Sequence, residues 1–230
     1  LFERLYRHCS SDNGSTPPAT ADGTPPPSAT ARSFDMLCRQ GRMHPEVALF
    51  ANHAFYGGRL VPVGLPHQLE GSEHISRLAF YPSVPEPAGT SVKINSSEAR
   101  IVAGLAARIY ESYQTNFDES RTLGVITTYR SQIALIKKEI EKLGIPALNR
   151  ILVDTVERFQ GSERDVIIYS CCINSYYQLK FVSNLTEENG VLIDRKLNVA
   201  LTRARKQMFV TGVPKFLQSS PFYRAYYLLS

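Results

Sequence analysis

The amino-acid sequence predicts an α/β fold, in which a mostly parallel sheet is covered by helices on both faces. Short apolar runs alternate along the 230 residues with longer segments whose apolar residues recur at helical spacing. The run at 165–172 is rich in β-branched and apolar residues, which is typical of a strand buried on both faces. Because parallel strands need crossover connections, strands that alternate with helices indicate a parallel sheet.

The first 33 residues differ in composition from the rest of the chain. Residues 1–8 place apolar side chains at helical spacing and predict a short helix. Residues 10–33 contain five of the 14 prolines and no Val, Ile, Leu or aromatic residue, which predicts a disordered insertion. We therefore divide the chain into the end of a preceding segment (1–9), the insertion (10–33) and one domain (34–230).

Capping and stop signals predict the helices of this domain. Pro45 fits the first turn of a helix that the paired glycines after Tyr56 end. Asn95 and Glu98 have the spacing of a capping box and start a helix that continues to about Tyr113. Further helices are predicted at 131–143, 194–205 and 221–229, and strands at 78–81, 123–127, 151–155, 165–172 and 207–211.

The predicted helix at 194–205 carries one apolar stripe. Arg203 lies on a flank of this stripe, and Arg205 lies about 160° away from Arg203. A guanidinium at the edge of a buried helix suits phosphate, because it keeps its charge and donates two parallel hydrogen bonds. The alternative is an exposed basic helix with surface ion pairs. The stripe follows the i, i+3, i+4, i+7 rule at Leu197, Ala200, Leu201 and Ala204.

Charge and cysteine usage limit the class of protein. The net charge of +5 and pI near 9.0 permit a polyanionic partner without requiring one. The spacing of the four cysteines is not C-x-x-C, and we expect reduced thiols in an intracellular protein, cytoplasmic or nuclear. The sequence has no apolar run of membrane-spanning length, so we expect no membrane contact. Leu1 stands where an initiator Met would, which suggests a piece of a longer protein.

Three local patterns follow one another along the chain: QGRMHP at 40–45, VDTVERFQGSERD at 153–165 and LNVALTRAR at 197–205. Gly161 lies in a loop between two predicted strands, where a residue without a Cβ permits close approach to a ligand. With the continuation F-x-N-x-x-F-Y-x-G-x-L at 50–60, these patterns resemble motifs IV, V and VI of superfamily 1 helicases, in the branch of the nonsense-decay helicase and senataxin. The resemblance covers nearly the whole chain outside the insertion and implies the second of two RecA-like domains.

The resemblance also implies roles for individual residues at ATP. Arg203 corresponds to the arginine that reaches across the interdomain cleft to the γ-phosphate, a contact that stabilises charge in phosphoryl transfer. Arg42 resembles a second phosphate-contacting arginine, and Gln40 its neighbour at the nucleotide. Glu163 resembles a carboxylate that accepts a hydrogen bond from the ribose. The loop before it would be shaped by Gln160 and Gly161.

Further implications concern partners and metal. Thr155 and the stretch Thr127, Thr128 and Tyr129 match positions that touch the backbone of single-stranded DNA or RNA, a contact that carries no base information. The chain has no G-x-x-x-x-G-K-[ST] motif, which in the family belongs to the first RecA-like domain. ATP and Mg²⁺ would therefore be held mainly by that domain, and this chain alone is expected to be inactive.

Several residues also have a structural interpretation. Glu163, Arg42 and Arg203 are also compatible with surface or structural ion pairs, while Asp154 and Asp165 are favoured as structural residues at strand ends. His44 is favoured as a hydrogen-bonding residue at a helix end rather than as a catalyst.

Gly41 is a departure from the family pattern. It stands where the family usually has an aromatic residue stacked on adenine, so adenine selectivity is in question. It also leaves open a second function, that of a truncated or degenerate helicase domain that binds nucleic acid or protein without turnover.

Overall fold

The computed structural model describes residues 38–71, 76–159, 161–188 and 191–230. The predicted helix at 1–8, the insertion at 10–33 and Gln160 lie outside the described residues. In chain order the helices and strands are β1 (Arg39–Gln40), α1 (Pro45–Phe55), β2 (Val61–Pro62), β3 (Leu78–Pro82), α2 (Ser96–Tyr113), β4 (Leu123–Thr127), α3 (Arg130–Glu141), β5 (Leu152–Thr155), β6 (Arg164–Ser170), α4 (Leu179–Val182), β7 (Leu185–Glu188), β8 (Val191–Asp194), α5 (Arg195–Leu201), β9 (Ala204–Gly212), α6 (Pro214–Leu217) and α7 (Pro221–Leu229). Single 3₁₀ turns lie at Pro66–Gln68, Gln114–Asn116, Leu148–Arg150 and Tyr176–Gln178.

A five-stranded parallel sheet in the order β3-β9-β6-β4-β5 forms the centre of the domain. On β6, Val166 and Ile168 pack with residues of α2 and α3, whereas Ile167 and Tyr169 pack with residues of α1, α5 and α7. Successive strand residues point to opposite faces, so a strand buried on both sides must be apolar throughout. The predicted fold class, a RecA-like three-layer α/β domain, is confirmed.

The connection from β5 to β6 crosses the face of β4, which lies between them. Phe159 lies on this crossing and is fully buried. A Cβ at Gly124 of β4 would stand 2.6 Å from the Phe159 ring, so only glycine lets the loop pass this closely. The crossing carries the chain from the carboxyl end of β5 to the amino end of β6, where Glu163 lies.

The predicted helix at 194–205 is wrong at its carboxyl end. α5 ends at Leu201, and Ala204 is already the first residue of β9. Arg203 lies in the two-residue connection, and Arg205 lies on the strand. Ala204 is fully buried as the first residue of the strand, and a buried alanine also fits the helical stripe, so its apolar character did not distinguish helix from strand.

The predicted capping box at the start of α2 is half formed. The Asn95 side chain accepts a 2.8 Å hydrogen bond from the Glu98 amide, as expected. The reciprocal bond does not form, because the Asn95 amide donates to Gln132 Oε1 at 2.8 Å. Instead, Glu98 accepts from Ser170 Oγ at 2.7 Å and from the Cys172 amide at 2.8 Å.

Other differences from the sequence prediction are small. α3 runs from Arg130 to Glu141 instead of 131–143. The antiparallel pair β7–β8 and the short parallel pair β1–β2 are absent from the prediction. Cys171 and Cys172 are buried thiols, as expected, whereas Cys9 lies outside the described residues. None of the described helices combines the length and hydrophobicity needed to cross a membrane.

Candidate functional site

Arg42 and Arg203 come together at the amino ends of β6 and β9. Arg42 precedes α1, and its Nη1 donates to the carbonyl of Thr202, the residue before Arg203, at 3.1 Å. Partial burial lowers the pKa of Arg203, and the positive charge of Arg42 lowers it further. Two of the predicted site residues, distant in sequence, are therefore electrostatic neighbours.

The Arg203 side chain is anchored to the protein by backbone carbonyls. Its Nε donates to the carbonyl of Val199 at 3.0 Å, and its Nη1 lies 3.4 Å from the carbonyl of Ser162. Among the described residues, no carboxylate forms an ion pair with Arg203. A guanidinium has five N–H donors, so this anchoring leaves donors for an anion.

Glu163 lies between arginines. Its Oε2 accepts a 2.6 Å hydrogen bond from Arg42 Nε, and its Oε1 is 3.7 Å from Arg205 Nε. Arg205 also lies 3.3 Å from Asp165 Oδ1. Glu163 thus offsets the repulsion between neighbouring cations, and the ion pair of Asp165 agrees with the structural role at a strand end that was favoured for it. The ribose contact that the resemblance implies for Glu163 stays a prediction.

Arg205 is a member of this cluster that the sequence prediction missed. The prediction placed it on a helix, far from Arg203, whereas it lies on β9 beside the start of β6. Arg164 pairs with Ala204 in that register, so Glu163 and Arg205 flank neighbouring strand starts. Extending the predicted strand at 207–211 back by three residues would have placed Arg205 on a strand instead of a helix.

Gln40 braces the loop that presents Arg42. Its Oε1 accepts hydrogen bonds from the amides of Arg42 at 3.1 Å and Met43 at 2.8 Å, while its Nε2 donates to the Met43 carbonyl at 2.8 Å. Gln68 fixes the same loop by donating to the carbonyls of Gln40 and Met43, at 3.1 and 2.9 Å. Direct contact of Gln40 with a nucleotide stays a prediction.

The two glycines of the motifs have different surroundings. Gly161 has a φ of +84°, and a Cβ there would meet no atom of the described residues within 4 Å, so the glycine serves the backbone conformation. At Gly41 a Cβ would lie 3.2 Å from Leu65 and 3.3 Å from Val63. These two side chains are 42% and 37% exposed, so aliphatic groups line the place where the family has a ring.

His44 and Tyr56 complete the surroundings of the arginines. His44 is the N-cap of α1, since its Nδ1 accepts from the Glu46 amide at 3.2 Å, which confirms the favoured helix-end role. Tyr56, a second residue that the prediction missed, interacts electrostatically with Arg203, and its hydroxyl lies 3.3 Å from Asn198 Nδ2. Its place within the 50–60 pattern was the available sequence signal.

The threonines predicted to contact nucleic acid lie at the opposite, carboxyl edge of the sheet. Thr127 ends β4 and is in register with Thr155 of β5 and Ser170 of β6. Thr127 is fully buried and donates to the Ser170 carbonyl at 2.9 Å. Thr128 is partly exposed and donates to the Cys171 carbonyl at 3.0 Å. The length of β6, roughly 20 Å, separates this edge from the arginines.

Thr155 is also partly exposed, and its neighbour Asp154 is occupied by local contacts. Asp154 Oδ1 accepts from the Thr155 amide at 2.8 Å, and Oδ2 lies 3.6 Å from Arg158 Nη1. These contacts agree with the structural role that was favoured for Asp154.

A cavity of about 730 Å³ opens on the α2 side of the sheet, beside the ion pair of Arg205 with Asp165. Arg42 and Arg203 do not line it. Within the part of the chain that the structure describes, no group of three His, Cys, Asp or Glu side chains is arranged to hold a metal ion. The charged residues that line the cavity are Glu70, Arg77, Arg108, Asp165 and Lys206.

The parallel sheet, the helices on both of its faces and the arginines at its amino edge define the class of RecA-like α/β domains. A family model described as an AAA domain matches residues 27–215. The chain belongs to this family, as the second RecA-like domain of superfamily 1 helicases in the branch of the nonsense-decay helicase and senataxin.

Curated relatives are matched over most of this chain. "Regulator of nonsense transcripts 1" of Dictyostelium discoideum is 33% identical over 83% of the chain and 14% of that protein. "Probable helicase senataxin" of Mus musculus is 31% identical over 76% of the chain and 6% of that protein. "Helicase SEN1" of Saccharomyces cerevisiae is 28% identical over 82% of the chain and 9% of that protein. The chain therefore spans a small part of the length of these relatives.

Proposed function

We propose that this chain is the second motor domain of an ATP-dependent helicase or translocase on single-stranded DNA or RNA. In this function it supplies an arginine finger and part of the strand-binding track to a partner P-loop domain. The observation that carries the proposal is the adjacency of Arg42 and Arg203 at one edge of the sheet.

Two neighbouring guanidinium groups repel each other, and a bound anion removes that cost. The negative charge of Glu163 acts on both arginines, but no described carboxylate lies within ion-pair distance of Arg203. A polyphosphate held by a P-loop domain supplies the missing negative charge. The described residues thus fit the phosphate end of a nucleotide, and they form one wall of a site whose other wall is the first RecA-like domain.

Each residue then has a defined task. Arg203, held in place by the carbonyls of Val199 and Ser162, donates to the γ-phosphate oxygens as their negative charge increases during hydrolysis. Arg42 contacts the same phosphates from the loop that Gln40 braces, and Glu163 orients Arg42 before the nucleotide binds. Mg²⁺, which bridges phosphate oxygens in such reactions, is assigned to the P-loop domain.

The central strand β6 links the two edges of the sheet. It begins next to Glu163, and the residues at its end accept hydrogen bonds from the hydroxyls of Thr127 and Thr128. Closure of the cleft onto the nucleotide therefore moves the amino edge, β6 and the carboxyl edge as one rigid layer. A nucleic-acid strand held at Thr128 and Thr155 would be moved by that closure.

The test is nucleic-acid-stimulated ATPase activity of the complete protein that contains this chain. Arg203→Ala is compared with Arg224→Ala, an exposed arginine on α7, at matched folding and matched nucleic-acid affinity. We expect a loss of about 10³-fold in turnover for Arg203→Ala, the lower end of the range for arginine fingers, and no loss for the control.

Two results would contradict the proposal. If Arg203→Ala keeps the wild-type rate, the role of Arg203 is wrong. If the wild-type protein shows no turnover with ATP and nucleic acid, the chain is instead a non-catalytic binding domain, which is the alternative that Gly41 suggests.

A further inference from the structure

A connected row of aromatic rings lies at the carboxyl edge of the sheet, beginning one residue after Thr128. The centroids of Tyr129 and Phe181 are 6.2 Å apart, and those of Phe181 and Tyr177 are 6.0 Å apart. Tyr177 is 69% exposed and Phe181 40% exposed. Exposed rings that touch one another form a surface patch, and such patches mark binding sites more often than single exposed rings do. We call Tyr129, Tyr177 and Phe181 the aromatic cluster.

A lysine lies directly on this cluster. The Nζ atom of Lys180 is 3.7 Å from the centroid of Tyr177 and 5.2 Å from that of Phe181. Cation–π contact holds the ammonium group beside the rings without burying its charge. Because Tyr177 remains mostly exposed, much of its ring is still open to a flat ligand.

Further hydrogen bonds bring two more cations to the rim of the cluster. Gln178 joins the segments, since its Nε2 donates to the Val92 carbonyl at 2.6 Å and to the Tyr129 hydroxyl at 3.3 Å. Ser131 donates to the Lys93 carbonyl at 2.8 Å. These bonds bring the backbone at 92–93 close to Tyr129, which Arg130 follows in the chain, and the side chains of Lys93 and Arg130 are both exposed.

We infer that the aromatic cluster, together with Lys180, binds the bases of single-stranded nucleic acid by stacking. Aromatic rings interleaved with cations suit such a strand, because every base has a flat face and every nucleotide carries a phosphate. The exposed cations Lys93 and Arg130 near the rings complement the phosphates of such a strand. The inference rests on the proposed function in one respect, since the cluster continues the strand-binding edge at Thr128.

The absence of tryptophan from the 230 residues permits a direct test of stacking. Tyr177→Trp keeps a ring at the cluster and introduces the only indole of the chain. We expect its fluorescence to be quenched when oligothymidylate or oligouridylate is added. Tyr227→Trp is the matched control, because Tyr227 is 36% exposed and lies on α7. Its emission should not change.

Affinity measurements on the same oligonucleotides test the energetic contribution. Tyr177→Ala should weaken binding about tenfold, the change expected for one lost base–aromatic stack, whereas Tyr177→Phe should bind like wild type. Lys180→Ala should reduce the slope of log affinity against log salt by about 0.7, the value for one phosphate contact on a single strand. Lys138→Ala, an exposed lysine on α3, should leave that slope unchanged.

The outcomes separate this inference from the proposed function. If the wild type binds both oligonucleotides but the indole emission and the affinity of Tyr177→Ala are unchanged, the inference is overturned and the strand-binding function stands. If the wild type binds neither oligonucleotide, both fail. If Tyr177→Ala retains oligonucleotide affinity and loses a protein partner, the assigned occupant is wrong.

Discussion

Arg42 and Glu163, which lie 121 residues apart in the chain, are joined by a 2.6 Å hydrogen bond between Nε and Oε2. The bond connects the loop before α1 to the loop before β6, and the second contact of Arg42, to the Thr202 carbonyl, extends the connection to β9. The two side chains are 37% and 44% exposed, so the pair contributes little to stability. Its importance lies in the position that it gives to Arg42.

We expect Glu163→Gln to separate the contribution of the pair to stability from its effect on the position of Arg42. Loss of the charge frees Arg42 from its fixed position, so ATP turnover by the complete protein should fall about tenfold or more. The free energy of unfolding should change by less than about 1 kcal/mol, because the pair is exposed. Steady-state ATPase assays and urea unfolding measure the two quantities. Glu119→Gln breaks another exposed ion pair, with Arg150, and is the control. Unchanged turnover in Glu163→Gln would mean that Arg42 is positioned without Glu163.

A second prediction concerns Gly41, where the family usually has a ring. Gly41→Tyr should raise the ratio of kcat/KM for ATP to that for UTP by about fivefold or more, because an added ring stacks better on the larger base. The Cβ would press on Val63 and Leu65 at 3.2 to 3.3 Å, and both contacts are with the ends of side chains. Gly41→Ala introduces the same crowding without a ring and should leave the ratio unchanged. An equal rise in both variants would contradict stacking as the cause.

Most of the fold follows from patterns that the chain carries locally. The run at 123–127 and the helix at 221–229 have the same bounds in sequence and structure, because the strand is one short apolar run and Pro221 fits the first turn of the helix. The end of α5 could not be predicted in this way. Ala204 is buried as the start of β9, and its apolar character fits the helical stripe equally well.

The candidate site was predictable only in part. Arg42, Arg203 and Glu163 were identified through the resemblance, and the structure brings them to one edge. The ion pairs of Glu163 with Arg42 and Arg205 depend on strand register across the sheet, which no local pattern contains. The same reason applies to Glu98, whose partners Ser170 and Cys172 lie at the end of β6 and just beyond it.

A third prediction distinguishes the threonines at the carboxyl edge. Thr127 is buried with its hydroxyl bonded to the Ser170 carbonyl, so Thr127→Val should cost about 1 kcal/mol of stability and leave oligonucleotide affinity unchanged. Thr155 is partly exposed, and Thr155→Ala should weaken oligonucleotide binding several-fold without a similar loss of stability. Thr115→Ala, an exposed threonine beyond the end of α2, is the control. Loss of affinity in Thr127→Val at unchanged stability would contradict this division.

The last prediction concerns the buried carboxyl group of Glu98. Burial raises its pKa from 4.5 to about 7, against the opposing effect of hydrogen bonds from Ser170 and Cys172. Below pH 4.5 the group is protonated in both the folded and the unfolded chain. Between that value and about 7 the unfolded chain releases its proton first, so stability falls as the pH rises and then levels off. The loss in the free energy of unfolding that is attributable to Glu98 is about 3 kcal/mol.

Glu98→Gln removes this titration while it keeps an oxygen that accepts from Ser170 and the Cys172 amide. We therefore expect the variant to lose about 3 kcal/mol less stability than wild type between pH 4.5 and pH 8. Urea unfolding at several pH values measures the difference. Glu111→Gln, on the exposed side of the same helix, controls for the loss of one carboxylate. Parallel pH profiles for wild type and Glu98→Gln would show that Glu98 is ionised in the folded chain throughout this range, and would contradict the raised pKa.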